Sequence, residues 1–318
     1  MKDEFHLIEK LLDYAPEGNT FIRVPAGDDA CLLGQLKNPV ITTDTQRNGV
    51  HFKLKWQTPE EIGKKAVAST LSDLAASYAK PVSLFVNLSV PPSIKDDTLL
   101  NIYKGINTAL VHYDCSLGGG NVSVGRDLSL DLFAIGEGND AIFPLRSAAA
   151  VGFGVYATGP LGLAAAGLDA LKRGDASFER LVSFFKNPSA RFDAAHILAE
   201  NRVMCVMDIS DGLIGDAGHI AKASGVTIKL FVSEDHIDPD LVSYCNKHSL
   251  VPDHVFLSGG EDYELLFACD SETFDKMKKD LPGAFQVGEC LPYSDDYITG
   301  IPSEISSFRH GTCARSDS

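Results

Sequence analysis

Hydrophobic positions along the chain change period again and again. VSLFVNLSV (82–90) and LSLDLFAIG (128–136) are apolar at strand length, while residues 58–79 and 96–112 carry apolar positions three and four apart. Read this way, the first half predicts strands at ACLLG and PVITTD, a helix over 58–79, a strand at 82–90, a helix over 96–112 and a strand at 128–136. The stretch 136–150 mixes Gly, Asn, Asp, Pro and Arg, which places a domain boundary near residue 145 and gives domains of 1–145 and 146–318. The second half predicts a strand at VGFGVYATG, a helix over 161–173, a long helical region over 177–201 and a strand at VMCVMD. A helix over 211–224, a strand at VTIKLFV, a helix over 238–247 and a strand at YELLFAC follow. Alternation of this kind predicts mixed α/β layers (α/β, α+β) rather than a bundle or a sandwich.

Composition supports an ordinary folded chain of 318 residues, 44% hydrophobic and 22% charged. A net charge of −15 argues against nucleic-acid and anionic-membrane partners, because phosphate backbones are held by clustered Lys and Arg. Any phosphate handled by such a chain needs a cationic mediator. The first ten residues, MKDEFHLIEK, lack the apolar core of a secretory signal. Residues 147–168 are uncharged over a length that could span a bilayer, but Thr158, Gly159 and Pro160 divide them into a strand-like and a helix-like piece. The seven cysteines form no CxxC pair and read as reduced thiols of a cytoplasmic protein. Cys31, Cys205, Cys269 and Cys290 lie in apolar runs and are expected in the core.

Asp and Glu recur at the ends of apolar strands beside Gly. Asp28 and Asp29 follow Gly27, Asp44 closes VITTD, Asp208 ends the strand in VMDISDG with Asp211 three residues on, and Glu261 and Asp262 follow GG. Each alone is equally a turn former or a helix cap, but strand ends are where α/β proteins bind ligands, and here the pattern occurs four times. Asp73 falls within about 20° of Ile62 and Ala66 on the helical wheel, a face of small residues that packs inward, so its carboxylate must meet a cation or donors. Acids gathered with few bases suit Mg²⁺, which takes one or two carboxylates plus water and phosphate oxygens. No G-x-x-x-x-G-K-[ST] occurs, which excludes a P-loop. LGGGNVSVG (117–125) is either a loop whose backbone approaches a phosphate or a plain connecting turn.

Taken together, GDDACLL (27–33), ITTDT (41–45), GVHF (49–52), LSDLAA (71–76), GGN (119–121), NPSAR (187–191), DISDGLIGDAGHIAKASG (208–225) and SGGEDYELLF (258–267) resemble the thiamine-monophosphate kinase family. That family lies within the aminoimidazole ribonucleotide synthetase superfamily. The resemblance implies a two-domain fold: an N-terminal ATP- and Mg²⁺-binding domain whose sheet pairs across a homodimer, and a C-terminal α/β domain covering the cleft. It implies ATP as co-substrate, several Mg²⁺ ions and transfer of the γ-phosphoryl group onto thiamine monophosphate. Carried over by position, Asp29, Thr42, Thr43, Asp44, Asp73, Asp208 and Asp211 would be Mg²⁺ ligands, with Asp44, Asp73 and Asp211 central to catalysis. Gly120, Asn121, Arg146 and Ser210 would contact ATP, and His51, Glu261 and Phe308 the thiamine phosphate.

The chain departs from the family pattern at two places. Where the family has GGDTTRG it reads GGNVSVG (119–125), so Asn121 removes one negative charge. Where the family has MGAxP it reads SYAKP, from Ser77 to Pro81. An impaired or redirected paralogue is the alternative these departures leave open. Cys313 keeps a second one, another ATP-using superfamily member such as a hydrogenase-maturation enzyme, whose relatives carry a C-terminal Cys.

Overall fold

The computed structural model describes residues 4–14, 19–302 and 305. The chain divides into two compact units, residues 1–143 with 186–192, and residues 144–185 with 193–318.

In the first unit, helix α1 (Glu4–Leu12) and short strands β1 (Ile22–Val24) and β2 (Leu32–Leu33) precede β3 (Pro39–Arg47). Helix α2 (Pro59–Ala76), β4 (Lys80–Val90), α3 (Asp96–His112), β5 (Ser116–Val124) and β6 (Ser129–Glu137) follow. The four-stranded sheet runs β3-β6-β4-β5, antiparallel except for the parallel β4–β5 pair. Its inner face presents Leu84, Val86, Leu88, Leu130, Leu132 and Ala134 to the core shared with α2 and α3. Its outer face leaves Ile41 65% and Phe133 44% exposed.

Helix α2 begins where its sequence says it must. Thr58 caps Glu61 N–H, Glu61 answers to the Thr58 N–H, and Pro59 sits at the first helical position. The helix ends at a reversal in which Ala79 N–H reaches Leu74 O and Tyr78 takes a left-handed φ of 56°. Glycine favours that conformation; here a buried tyrosine adopts it under strain. Helices α2 and α3 touch through glycines. A Cβ on Gly63 would lie 2.1 Å from Ile102 O, and one on Gly105 would lie 2.1 Å from Glu60 O.

Three sequence expectations change. The Gly-rich stretch 117–125 is not a loop: most of it is edge strand β5, because backbone pairing to β4 overrides its turn-like composition. The strand expected at ACLLG shrinks to β2, and Cys31 is only partly buried. The helical region 177–201 is two helices, α5 (Glu179–Lys186) and α6 (Phe192–Glu200), broken at Asn187-Pro188 because the residue before a proline disfavours helix. The break inserts Ala190 into the core of the first unit, where its N–H donates to Tyr113 Oη at 2.9 Å.

In the second unit, β7 (Gly154–Ala157), α4 (Leu163–Arg173), β8 (Cys205–Asp208), α7 (Leu213–Ser224) and β9 (Val226–Leu230) are followed by α8 (Pro239–His248) and α9 (Pro252–Ser258). Then come β10 (Leu265–Cys269), α10 (Ser271–Met277), β11 (Phe285–Pro292) and β12 (Ile298–Thr299). The sheet order among the described residues is β12-β9-β11-β7-β10-β8, antiparallel except at β12–β9. Cys205, Cys269 and Cys290 are buried. No helix among the described residues is long and apolar enough to cross a membrane.

The glycine contacts make a paired prediction. Gly63→Ala is expected to cost about 3 kcal/mol by overpacking the α2–α3 contact. Gly218→Ala on α7, whose added Cβ would have Ile298 as nearest neighbour at 3.8 Å, is expected to raise stability by about 0.5–1 kcal/mol. Urea denaturation midpoints read both.

Candidate active site

Strand β3 alternates its side chains, so Thr42, Asp44 and Gln46 share the face that packs on α2, while Ile41, Thr43 and Thr45 share the outer one. Helix α2 answers with Ser69 and Asp73, one turn apart on the same side. Thr42 Oγ1 donates to Asp73 Oδ2. Asp44 Oδ1 accepts from Thr45 N–H at 2.7 Å, and its Oδ2 accepts from Gln46 Nε2 at 2.9 Å and from Ser69 Oγ at 3.0 Å. Two of this unit's three candidate carboxylates, Asp44 and Asp73, are therefore held on one strand–helix seam. Farther along α2, buried Lys65 donates from Nζ to His51 O at 3.4 Å, and His51 Nδ1 accepts from Arg47 N–H at 3.1 Å.

Other candidates of the first unit lie elsewhere. Asp29 is exposed on the turn before β2, and Thr43 is exposed opposite Phe133 on the outer face. Gly120 lies opposite Val86, so close that a Cβ would meet Val86 O at 2.0 Å. Asn121 is exposed opposite Asn87, and Asn87 in turn opposes Asp131, which accepts from Thr45 Oγ1 at 2.8 Å. That row crosses the outer face, and β6 and β4 separate β5 from β3. Within the unit, Asn121 is not beside Asp44.

In the second unit, β8 ends on buried Asp208 and leads into the turn Ser210-Asp211-Gly212 before α7. Asp216, 1% exposed in the first turn of α7, accepts on Oδ2 from both Ser210 N–H at 3.0 Å and Asp211 N–H at 3.1 Å. The turn is also pinned from the other side. Glu261 N–H donates to Ser210 O at 2.8 Å, Tyr263 N–H to Ile209 O at 2.9 Å, and Ile209 N–H to Glu264 O at 2.7 Å. Close approach requires glycine here: a Cβ on Gly260 would lie 2.6 Å from Ser210 O, and Gly212 has φ 100°. Glu261 and Tyr263 take positive φ values of 66° and 52° to complete the interlock. It brings Asp208, Ser210, Asp211 and Glu261 onto one pair of loops.

Neighbouring acids in those motifs have structural work. Asp262 accepts from Gly162 N–H at 2.7 Å and Ala164 N–H at 3.2 Å at the start of α4, and Glu264 accepts from Thr158 Oγ1 at 2.6 Å. Burial pushes the Asp262 carboxyl up to about 7. Burial, followed by the charges of Asp208 and Asp211, pushes Asp216 up to about 8. Arg146 is exposed, and its carbonyl accepts from Ser224 Oγ at 2.9 Å. Phe308 lies outside the described residues. Sequence reasoning gave no role to Gln46, Ser69 or Asp216. For Asp216 the signal was present, an acid in the first turn of a helix after SDG, but its backbone partners emerge only with the fold.

Among the described residues, no group of three or more His, Cys, Asp and Glu side chains is arranged to hold a metal ion. Each unit instead offers carboxylates in pairs, Asp44 with Asp73 beside the Thr42 hydroxyl, and Asp208 with Asp211. Hard oxygen donors in that number fit Mg²⁺, which usually keeps several waters and borrows oxygens from substrate phosphates.

Residues 27–137 match the family described as AIR synthase related protein, N-terminal domain. The class is thus a two-unit α/β protein in which residues 27–137 are similar to that N-terminal domain. Thiamine-monophosphate kinase of Aquifex aeolicus is 34% identical over 255 residues, covering 78% of this chain and 82% of its own. That of Bacillus subtilis is 31% identical over 290 residues, covering 87% of each. The solved structure of AaThiL complexed with AMPPCP and TMP superposes with a TM-score of 0.79 at 30% identity, covering 96% of this chain and 95% of that one. The chain belongs to the thiamine-monophosphate kinase family. Hydrogenase maturation protein HypE, at 16% identity and a TM-score of 0.73 over 90% of this chain and 88% of its own, shares the fold.

The buried acids predict how stability varies with pH. Asp216 and Asp262 have folded-state values of about 8 and about 7, above the unfolded value of about 3.9. The folded state therefore binds their protons more tightly, and this contribution is complete below about pH 4 and lost as pH rises toward 8. Metal-free protein is expected to show a lower Tm at pH 8 than at pH 5, and Asp216→Asn to narrow that difference, read by calorimetry in the presence of a chelator.

Proposed function

We propose that the protein transfers the γ-phosphoryl group of ATP to thiamine monophosphate, giving thiamine diphosphate and ADP. A phosphate oxygen of thiamine monophosphate forms the new bond to the γ-phosphorus as the bond to the ADP oxygen breaks. The observation that carries this reading is the placement of carboxylates, Asp44 with Asp73 and Asp208 with Asp211, in a chain 31–34% identical to these two thiamine-monophosphate kinases over most of its length. Asp44 and Asp73 lie on the β3–α2 seam, where β3 continues to Arg47, so that Asp44 is inside the strand and not at the end expected from VITTD; Asp208 ends β8 and Asp211 follows it. Mg²⁺ held by these oxygens supplies charge neutralisation between an acidic protein and its phosphate substrates.

The chain's own residues orient the reaction. Asp44 and Asp73 are fixed by the β3–α2 seam, and Asp211 by the backbone grip of Asp216. Ser210 presents its hydroxyl from the same turn, while Arg146, exposed beside that unit's sheet, is suited to phosphate oxygens. His51 and Glu261 serve the thiamine phosphate, as Phe308 does in the family pattern. The outer sheet face with exposed Ile41 and Phe133 takes a second copy of the chain, forming a homodimer. The free thiols of all six described cysteines accord with work in the cytoplasm.

Incubation with ATP, Mg²⁺ and thiamine monophosphate, followed by chromatography of thiamine phosphates, is expected to yield thiamine diphosphate and ADP in equal amounts. Asp44→Ala is expected to slow the reaction on the order of 100-fold or more. ADP formed without thiamine diphosphate would assign a different acceptor and support the redirected-paralogue reading raised by Asn121.

A further inference from the structure

Asp44 is held on both carboxylate oxygens, and its partners are chosen by chemistry. Gln46 is 2% exposed and Ser69 5% exposed, so both polar side chains are withdrawn from water. The two protons on Gln46 Nε2 go to Asp44 Oδ2 at 2.9 Å and to Ser69 Oγ at 3.2 Å. Ser69 Oγ in turn lies 3.0 Å from Asp44 Oδ2 and 3.0 Å from Ala66 O, which share its single proton. The amide orientation is fixed by this arrangement, since a flipped Gln46 would turn its oxygen toward the carboxylate. A carboxylate has about four lone-pair directions. Gln46 and Ser69 occupy both directions of Oδ2, and Thr45 N–H at 2.7 Å occupies one of Oδ1. One direction, on Oδ1, is left for a cation.

We propose that Gln46 and Ser69 are positioning residues that restrict Asp44 to one-oxygen coordination and thereby bias its site toward Mg²⁺ over Ca²⁺. The inference rests on the reading of Asp44 as a metal ligand. Mg²⁺ accepts single carboxylate oxygens in a small octahedral shell, whereas Ca²⁺ takes six to eight oxygens and readily accepts both from one carboxylate. Occupying Oδ2 with two buried donors removes the second mode. Outer partners of this kind change metal affinity by about 10- to 100-fold when lost.

The test titrates Mg²⁺ and Ca²⁺ separately into the full-length protein by calorimetry, with a non-hydrolysable ATP analogue bound. Gln46→Met combined with Ser69→Ala is expected to weaken Mg²⁺ about tenfold and to shift the Mg²⁺-to-Ca²⁺ affinity ratio at least that far toward Ca²⁺. Ser69→Thr, which keeps the hydroxyl, is expected to retain the wild-type ratio. A residue with only a structural role would move Tm and leave the ratio alone. If Asp44→Ala leaves Mg²⁺ binding intact, the metal reading of Asp44 fails. If Asp44→Ala removes a Mg²⁺ site but the double variant keeps the wild-type ratio, the positioning role is overturned. Should the double variant not fold, Ser69→Ala alone decides, because it frees one Oδ2 direction by removing a single atom; an unchanged ratio there overturns the proposal equally.

Discussion

The seam between β3 and α2 is the constraint on which the first unit's chemistry depends. A strand exposes alternate side chains to one face and a helix repeats a face every turn, so laying one on the other aligns Thr42, Asp44 and Gln46 with Ser69 and Asp73. Three carboxylate oxygens are brought into a partly buried setting where unpaired charge would be costly, and each receives a donor from the opposite element or from the strand's own backbone. The glycine contact between α2 and α3 serves the same end. By letting the helices approach closely at Gly63 and Gly105, it sets the second layer against which α2 is pressed. Position along α2 then fixes which polar residue meets which strand residue.

The second unit reaches a comparable result by different means. Its carboxylates sit on irregular backbone, and irregular backbone must be satisfied by something. Asp216 satisfies the N–H groups of the Ser210-Asp211 turn, and three backbone bonds tie that turn to residues 261–264. Glycine and positive-φ residues are concentrated there because two loops cannot approach so closely with ordinary side chains and dihedrals. A strained, interlocked turn of this kind holds Asp211 and Glu261 in fixed relation without a regular element beneath either.

Much of this was legible in the sequence, and the exceptions have physical reasons. Helix α3 was readable to its ends because its apolar spacing is unbroken, and α2 to within a few residues because Thr58, Pro59 and Glu61 state its beginning. Elements α9 and α10 were not read, since seven residues are too few to establish a period. Strand β11 was missed because FQVGECLP interrupts its apolar residues with Gly, Glu and Pro. Strand β5 was misread for the opposite reason: three successive glycines look like a turn, and only the neighbouring strand shows that their lack of side chains permits close pairing. The inward bearing of Asp73 followed from the helical wheel, but the identity of its donor, Thr42 on another element, did not.

The acids show most clearly why a sequence motif cannot assign roles to its own members. DISDGLIGD carries three aspartates and GGEDYE three acids, all near glycine and all near a strand end. In the fold, Asp216, Asp262 and Glu264 spend their oxygens on backbone N–H groups or a buried hydroxyl. Their raised or enclosed carboxyls belong to the scaffold, and what they hold in place is the backbone that presents Asp208, Asp211 and Glu261. Spacing cannot distinguish the two sets, because both need the same residue type at the same density. An acid whose oxygens already accept from the turn it stabilises has few lone pairs left for a ligand. Asp44 is in an intermediate state, with one oxygen committed to the scaffold and the other only half used. That intermediate state is how a single carboxylate both fixes a strand to a helix and remains available to a cation.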